Sequence, residues 1–197
     1  MRLPFAAGLL VAGLAQAEAG WLTAQGRVGD RAELAVFAGP RSVGAGFLRP
    51  DAGDARKGLG LEAAWLLEDR VAQLSAARRW QLNQTSAGTF SASAGLVGFV
   101  VPEGRFDLGL GPVVGLNLGL GGRAFSVQLG VLSGVELFVR GTARFTERLQ
   151  LGLRAQVGRV TLGVSGRAGV DVSPGQSFVL RADAIFSLGL LGAAPPG

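Results

Sequence analysis

The stretch FDLGLGPVVGLNLGL, residues 106–120, decides the fold of this 197-residue chain. Leucine, valine or phenylalanine stands at nearly every second position, and Asp107, Asn117 and several glycines stand between them. Successive side chains of a β-strand point to opposite faces of the sheet. The stretch therefore predicts a strand with one uncharged apolar face and one face of small and polar residues.

The same alternation continues through seven consecutive segments between Ser86 and Leu190. In each segment the arginines and acids share one face with most of the glycines, and the apolar face carries none of these charges. Short connections between successive strands predict an antiparallel up-and-down meander. The turns between these segments are predicted at 102–104, Gly121-Gly122, 132–134, Thr146-Glu147, Gly158 and 172–176.

The chain before Ser86 is less regular. Two strands at 21–28 and 31–38 are expected to form a hairpin, followed by a strand at 42–48 and an exposed loop at 49–57. Residues 58–82 fit two strands that turn at 68–70, with Arg78 on the apolar face, and they also fit an amphipathic helix. Two strands here give about 12 in total, whereas a helix would leave about 10, and both numbers are even, as in bacterial single-chain barrels.

The direction of the apolar face decides the class of protein. A soluble barrel or sandwich hides that face, whereas a membrane barrel turns it toward lipid and keeps charges in its lumen. Lys57 is the only lysine of the chain, and the charged face is rich in glycine, serine and alanine. Soluble surfaces mix lysine and acids freely, and small residues suit a narrow lumen. We therefore expect an all-β, antiparallel up-and-down transmembrane β-barrel.

The N-terminus has the pattern of a cleaved secretory signal peptide at residues 1–19. Arg2 supplies the positive charge, residues 5–14 form a short apolar run, and cleavage is expected after Ala17 or Ala19. Residues 20–191 are then a single barrel domain, and residues 192–197 are a frayed tail because Pro195 and Pro196 cannot donate to a ladder.

Two groups of residues follow from the predicted register. The first group consists of charges that face the lumen: Asp107, Glu136, Arg140, Arg144, Arg148, Arg154, Arg159, Arg167, Asp171, Arg181 and Asp183. The second group is an aromatic girdle beside the loops at one end of the barrel: Phe90, Phe125, Phe145 and Phe178.

The signal-peptide pattern, the alternating glycine-rich strands and the short turns resemble the small outer-membrane β-barrel proteins of Gram-negative bacteria. The resemblance covers roughly residues 20–191 and rests on pattern rather than on a single motif. It implies a location in the outer membrane, contact with the lipid bilayer, and partners that include the outer-membrane assembly machinery and other envelope proteins.

The composition excludes the commonest kinds of catalytic and metal-binding site. The chain has no histidine and no cysteine, which excludes Ser-His and Cys-His nucleophiles and thiolate or imidazole metal sites. We expect no enzyme activity and no catalytic, cofactor or metal site. The formal charge of +5 comes from arginines that alternate with apolar residues and face acids, so nucleic-acid binding is not expected.

Three functions remain at this point. The expected function is that of an integral outer-membrane barrel with a structural, anchoring or envelope-assembly role. The first alternative is a narrow pore that favours anions because arginines line it. The second alternative is a soluble periplasmic β-barrel or sandwich that binds another molecule.

Overall fold

The computed structural model describes residues 31–68, 70–101, 107–122, 124–173 and 179–193. They form ten strands: β1 Glu33–Ala38, β2 Ser42–Asp51, β3 Asp54–Leu66, β4 Val71–Gln84, β5 Gly88–Val101, β6 Asp107–Gly121, β7 Phe125–Phe138, β8 Ala143–Val157, β9 Val160–Val172 and β10 Val179–Leu191. The described part of the chain has no helix long and apolar enough to cross a membrane.

Each strand pairs antiparallel with its neighbours in sequence, and β1 pairs with β10, so the sheet is a closed up-and-down barrel. Stepping from Glu33 to its paired residue on each successive strand leads around the barrel to Val179 on β10. Val179 lies 12 residues from Leu191, the β10 residue that pairs directly with Glu33. A stagger of this size requires strands that tilt by about 35–45° from the barrel axis. The sequence prediction of an antiparallel up-and-down barrel is confirmed.

On the two faces of the wall, apolar residues are exposed outside and charged residues are buried inside, the reverse of the usual arrangement in a protein surrounded by water. The leucines Leu116, Leu151 and Leu180 are 53%, 57% and 72% exposed on the outside. Arg79 and Glu136 have no exposed surface, and the glycines and serines of the same faces also point inward. β6 alternates buried and exposed residues along almost its whole length, as the opening stretch of sequence predicts.

The predicted number of about 12 strands is wrong, since the described residues form ten. The predicted turns at 132–134 and Thr146-Glu147 lie inside β7 and β8. The true turn lies between Phe138 and Ala143, where Gly141 has a positive φ of 83°. Three predicted strands between 125 and 157 are therefore two, and the predicted strand at 21–28 lies outside the described residues.

The region 58–82 is not a helix. It belongs to β3 and β4, and the predicted turn at 68–70 lies between them, where Arg70 has a positive φ of 51°. The predicted exposed loop at 49–57 is also shorter than expected, since β2 continues to Asp51 and β3 begins at Asp54. The signal-peptide prediction for residues 1–19 and the end of the tail at 194–197 fall outside the described residues.

The barrel has two rims. The terminal rim is the end at which β1 begins and β10 ends, and the connections β2–β3, β4–β5, β6–β7 and β8–β9 lie there. The opposite rim carries the other five connections, among them the β7–β8 turn. Residues near either rim are named below by this convention.

Gly111 tests the packing of the wall. A Cβ on Gly111 would overlap the backbone carbonyl of Val135 on β7, next to Pro112, which has no N–H to donate. We expect Gly111→Ala to lower the free energy of unfolding by about 1–3 kcal/mol. Gly166→Ala is the control, because a Cβ on this strand glycine meets no atom within 4 Å. Urea unfolding of both variants measures the difference, and equal stabilities would contradict this packing.

Candidate functional site

The interior of the barrel collects most of the predicted lumen charges. Asp107, Glu136, Arg144, Arg148, Arg167 and Asp171 are buried there, and Arg154, Arg181 and Asp183 are partly buried. Alternation places them inside, because their strand neighbours are the outward apolar residues. Two of the predicted residues are instead exposed: Arg140 lies in the β7–β8 turn, and Arg159 lies at the terminal rim, where its Nε donates to the carbonyl of Leu191.

Ion pairs join the charges in the half of the interior toward the opposite rim. Arg144 on β8 donates from Nε to Glu136 Oε2 on β7 at 2.9 Å, and the Arg144 guanidinium also lies 5.6 Å from the ring centre of Phe138. Asp171 on β9 accepts from Arg148, and the Arg181 Nε lies 3.2 Å from its other carboxyl oxygen. These acids thus each face at least one guanidinium, as buried charges require.

A further pair extends this network on β9 and β10. Arg167 Nη2 lies 2.8 Å from Asp183 Oδ2, and Asp183 also accepts from the backbone N–H of Ala184. A narrow cavity of about 10 Å³ beside this pair is lined by Asp183 and by four arginines, one from each of β8, β9 and β10 and one from the β1–β2 connection. The cavity has room for about one water molecule.

The half toward the terminal rim contains a different arrangement. Glu33, the first residue of β1, accepts from Arg154 Nη2 at 2.7 Å and from the hydroxyl of Thr161. Arg79 on β4 lies at the same level, fully buried. The sequence prediction missed Glu33 and Arg79. The parity that places Arg78 outside could have identified Arg79, because the next residue of a strand faces the other way.

Apolar side chains fill the remaining interior at two places. One cluster contains Leu66, Val71, Val97, Phe99, Val101 and Phe138, and the other contains Ala35, Phe37, Leu48, Ala64 and Ile185. The rings of Phe99 and Phe138 stack with centroids 6.3 Å apart. Phe138 stands between the outward Leu137 and the exposed Val139 in the sequence, and it faces inward as a member of this cluster.

The predicted aromatic girdle is not a single ring. Phe90 and Phe125 are on the outer face near the terminal rim, because β5 begins at Gly88 and β7 begins at Phe125. Phe145 is also on the outer face, but it is the third residue of β8 and lies near the opposite rim. The shifted β7–β8 turn causes this difference. Phe178 lies outside the described residues.

The described residues contain no group of three or more His, Cys, Asp or Glu that could hold a metal ion. Among the described carboxylates of the interior, Glu33, Glu136, Asp171 and Asp183 are each held by at least one arginine. No family model and no curated protein sequence matches the chain.

The Glu136–Arg144 pair should matter for stability. Removal of one partner leaves a buried charge without compensation, so we expect Arg144→Met to lower the free energy of unfolding by about 3–5 kcal/mol. Adding Glu136→Gln to Arg144→Met removes the stranded charge and should restore part of that loss.

The control for this pair is Arg140→Met, because Arg140 is exposed in a turn and its replacement should change stability by no more than about 0.5 kcal/mol. Denaturant unfolding under identical conditions measures the free energy of unfolding of all three variants. A similar small effect of Arg144→Met and Arg140→Met would contradict the importance of the buried pair.

Proposed function

We propose that the chain is an integral β-barrel of the bacterial outer membrane with a structural, anchoring or assembly role in the envelope and no catalytic site. The observation that carries the proposal is the arrangement of the two faces: leucines and valines cover the outside, and paired charges lie inside. Water outside the wall would make this arrangement costly, whereas lipid makes it favourable. The exposed apolar surface also weighs against the soluble periplasmic alternative.

The dimensions of the strands support the same proposal. β3 to β10 are 13 to 15 residues long. At about 3.3 Å per residue and a tilt of about 40°, such strands rise roughly 33–38 Å along the barrel axis, enough to cross the hydrocarbon core. The hydrocarbon core of a bilayer is about 30 Å thick. Closure supports the proposal as well, because each described strand is hydrogen-bonded to a neighbour on both sides.

Arg78 and Glu147 are charged residues that face outward along the wall, and Arg49 and Lys57 are exposed on β2 and β3 nearer the terminal rim. Arg78 is partly exposed, and its guanidinium is paired with Asp51, where Nη1 lies 2.9 Å from Oδ1. Glu147 is exposed on β8, four residues after its start. Contact of its carboxylate with lipid is unfavourable, although an acid on the lipid face destabilises such barrels less than arginine or lysine does.

The packed interior favours a structural role over an anion pore. Two apolar clusters and the ion pairs occupy space that a pore needs for water. The cavities beside Asp183 and beside Arg154 measure about 10 and 20 Å³, which is room for about one water molecule each. A steady anion-selective conductance in planar bilayers would favour the pore instead.

The proposal is tested by extraction and by gel migration. We expect the protein to stay in the membrane pellet after carbonate washing and to dissolve only in detergent, because lipid covers its outer face. A detergent-folded sample should migrate faster in an unheated gel than after boiling, since a closed barrel resists the detergent used in the gel. Release by carbonate without detergent would overturn the membrane proposal.

A charge introduced on the outer face tests whether lipid or water surrounds the barrel there. Leu151 lies near the middle of β8 and faces out, so Leu151→Arg should destabilise a bilayer-inserted barrel by about 2–4 kcal/mol. Val139→Arg is the control, because Val139 is 80% exposed in the β7–β8 turn and its replacement should cost about 0–1 kcal/mol. Urea unfolding in liposomes gives both values, and equal costs would place water at Leu151.

The replacement of Glu147 tests the same surface with the opposite sign. Glu147→Leu removes an exposed acid from the outer face of β8, so it should increase the stability of the barrel in liposomes. If water surrounded the wall, the added leucine would instead leave stability nearly unchanged and promote aggregation. Unfolding and light scattering distinguish these outcomes.

A further inference from the structure

The outer face of the barrel has a groove of about 570 Å³ that crosses β1 to β6. The wall is low there because small residues face outward: Ala45, Ala63, Ala76 and Gly98. Larger apolar residues line the groove beside them: Phe47, Leu61, Leu74 and Leu96. A mostly apolar groove of this volume falls within the range of ligand pockets, which is about 300–1,000 Å³.

Gly98 keeps this groove open although the barrel itself does not require a glycine there. A Cβ on Gly98 would meet no atom closer than 3.8 Å, which is an ordinary contact, and the φ of Gly98 is not positive. Glycine within a strand is destabilising, and it often marks the close approach of a ligand or another backbone. A larger residue at this position would therefore fill the groove without disturbing the packing of the strands.

Positive charge borders the groove on the side of the terminal rim. Arg49 and Arg78 share one row of paired residues across β2, β3 and β4, and Ala76 belongs to the next outward row. The two rows are about 7 Å apart, since they differ by two residues. Arg49 is exposed, and no described acid forms an ion pair with it. Arg78 is half-exposed, and its Nη1 donates to Asp51 Oδ1 at 2.9 Å.

The level of these charges matches the surface of a bilayer. Lys57 and Trp80 form a pair one row nearer the terminal rim, and Lys57 Nζ lies 3.0 Å from Asp54 Oδ2. Tryptophan on the outer face of a membrane protein is typical of the interface, so the groove lies on the hydrocarbon side of the charges. The described charges on this part of the outer face are four cations and two acids: Arg49, Arg56, Lys57 and Arg78, with Asp51 and Asp54.

We propose that the groove binds one phospholipid with an anionic headgroup. An acyl chain lies in the groove, and the phosphate accepts hydrogen bonds from Arg49 and Arg78. The excess of cations favours this lipid over a second copy of the chain, because a copy that docked through the same face would bring the same cations toward each other. The inference rests on the proposed function, since the outer face meets lipid only in a membrane.

The experiment folds the barrel in nonionic detergent and adds phosphatidylglycerol or phosphatidylcholine with identical acyl chains. Both lipids carry a phosphate, but only phosphatidylglycerol has a net negative charge. Native mass spectrometry counts the lipids that each barrel retains. We expect one phosphatidylglycerol per barrel, bound about tenfold more tightly than phosphatidylcholine. Glycerol phosphate at the same concentration should not displace it, because the acyl chain supplies part of the binding.

Variants connect the retained lipid to the groove. Gly98→Leu fills the groove and should lower the affinity for phosphatidylglycerol at least tenfold. Gly166→Leu is the control, because it adds the same side chain to an exposed glycine of β9 and should leave the affinity unchanged. If Gly98→Leu does not show the gel migration of a folded barrel, Ala45→Leu takes its place, since Ala45 also lines the groove.

A second pair of variants tests the charged border. Arg49→Gln removes a cation without leaving an acid unpaired, so it should lower the affinity for phosphatidylglycerol about fivefold and change that for phosphatidylcholine less. Arg140→Gln changes an exposed arginine of the β7–β8 turn at the opposite rim and should change neither affinity.

The proposal is overturned if the two lipids bind equally, or if the groove variant and Gly166→Leu retain phosphatidylglycerol alike. A lipid-free dimer that Gly98→Leu dissociates would also overturn it, because a second copy would then cover the groove. Failure of this site is distinguishable from failure of the proposed function. A barrel that stays in carbonate-washed membranes but binds both lipids equally loses only the lipid site, whereas release by carbonate overturns both.

Discussion

Closure of the sheet is the constraint on which the rest of the structure depends. Every strand has a hydrogen-bonded neighbour on both sides because β1 pairs with β10, so the wall has no open edge among the described strands. Closing ten tilted strands leaves a narrow interior, which sets the size of the residues that fit there. Glycine and serine stand on the inner face, where an added side chain would meet atoms of the next strand, and most of the large apolar residues are on the outer face.

The narrow interior explains why the charges are paired. Most inward arginines meet an acid on the neighbouring strand, as Arg144 on β8 meets Glu136 on β7. Arg154 on β8 instead reaches Glu33 on β1, so this contact links residues that are far apart in sequence. The apolar clusters around Phe99 and Phe37 fill what the charges leave, and together the two kinds of contact make the inside a core rather than an empty tube.

Much of the wall could be predicted from the sequence, because alternation depends only on the geometry of a strand. The orientation of Leu116 and Arg167 follows from parity alone. The turns were harder. Gly134 looks like a turn residue but stands inside β7, close to the Thr146 hydroxyl, because the crowded interior also selects glycine. The true β7–β8 turn preserves parity from Leu137 to Phe145, so the alternation gave no sign of it. The contact of Arg154 with Glu33 joins strands that are far apart in sequence, which no local pattern encodes.

The pairing of β1 with β10 has a consequence for how the chain reaches its final form. This seam and the β1–β2 seam have six residue pairs each, fewer than the other seams, and the β1–β10 seam joins the first described strand to the last. The ring can therefore close only after β10 has been made, and folding depends on contacts of very long sequence separation. A chain that stops before β10 leaves β1 with an unsatisfied backbone edge, which makes truncated products prone to aggregation. β1 has the fewest residue pairs on both of its sides, so unfolding is expected to begin at this strand.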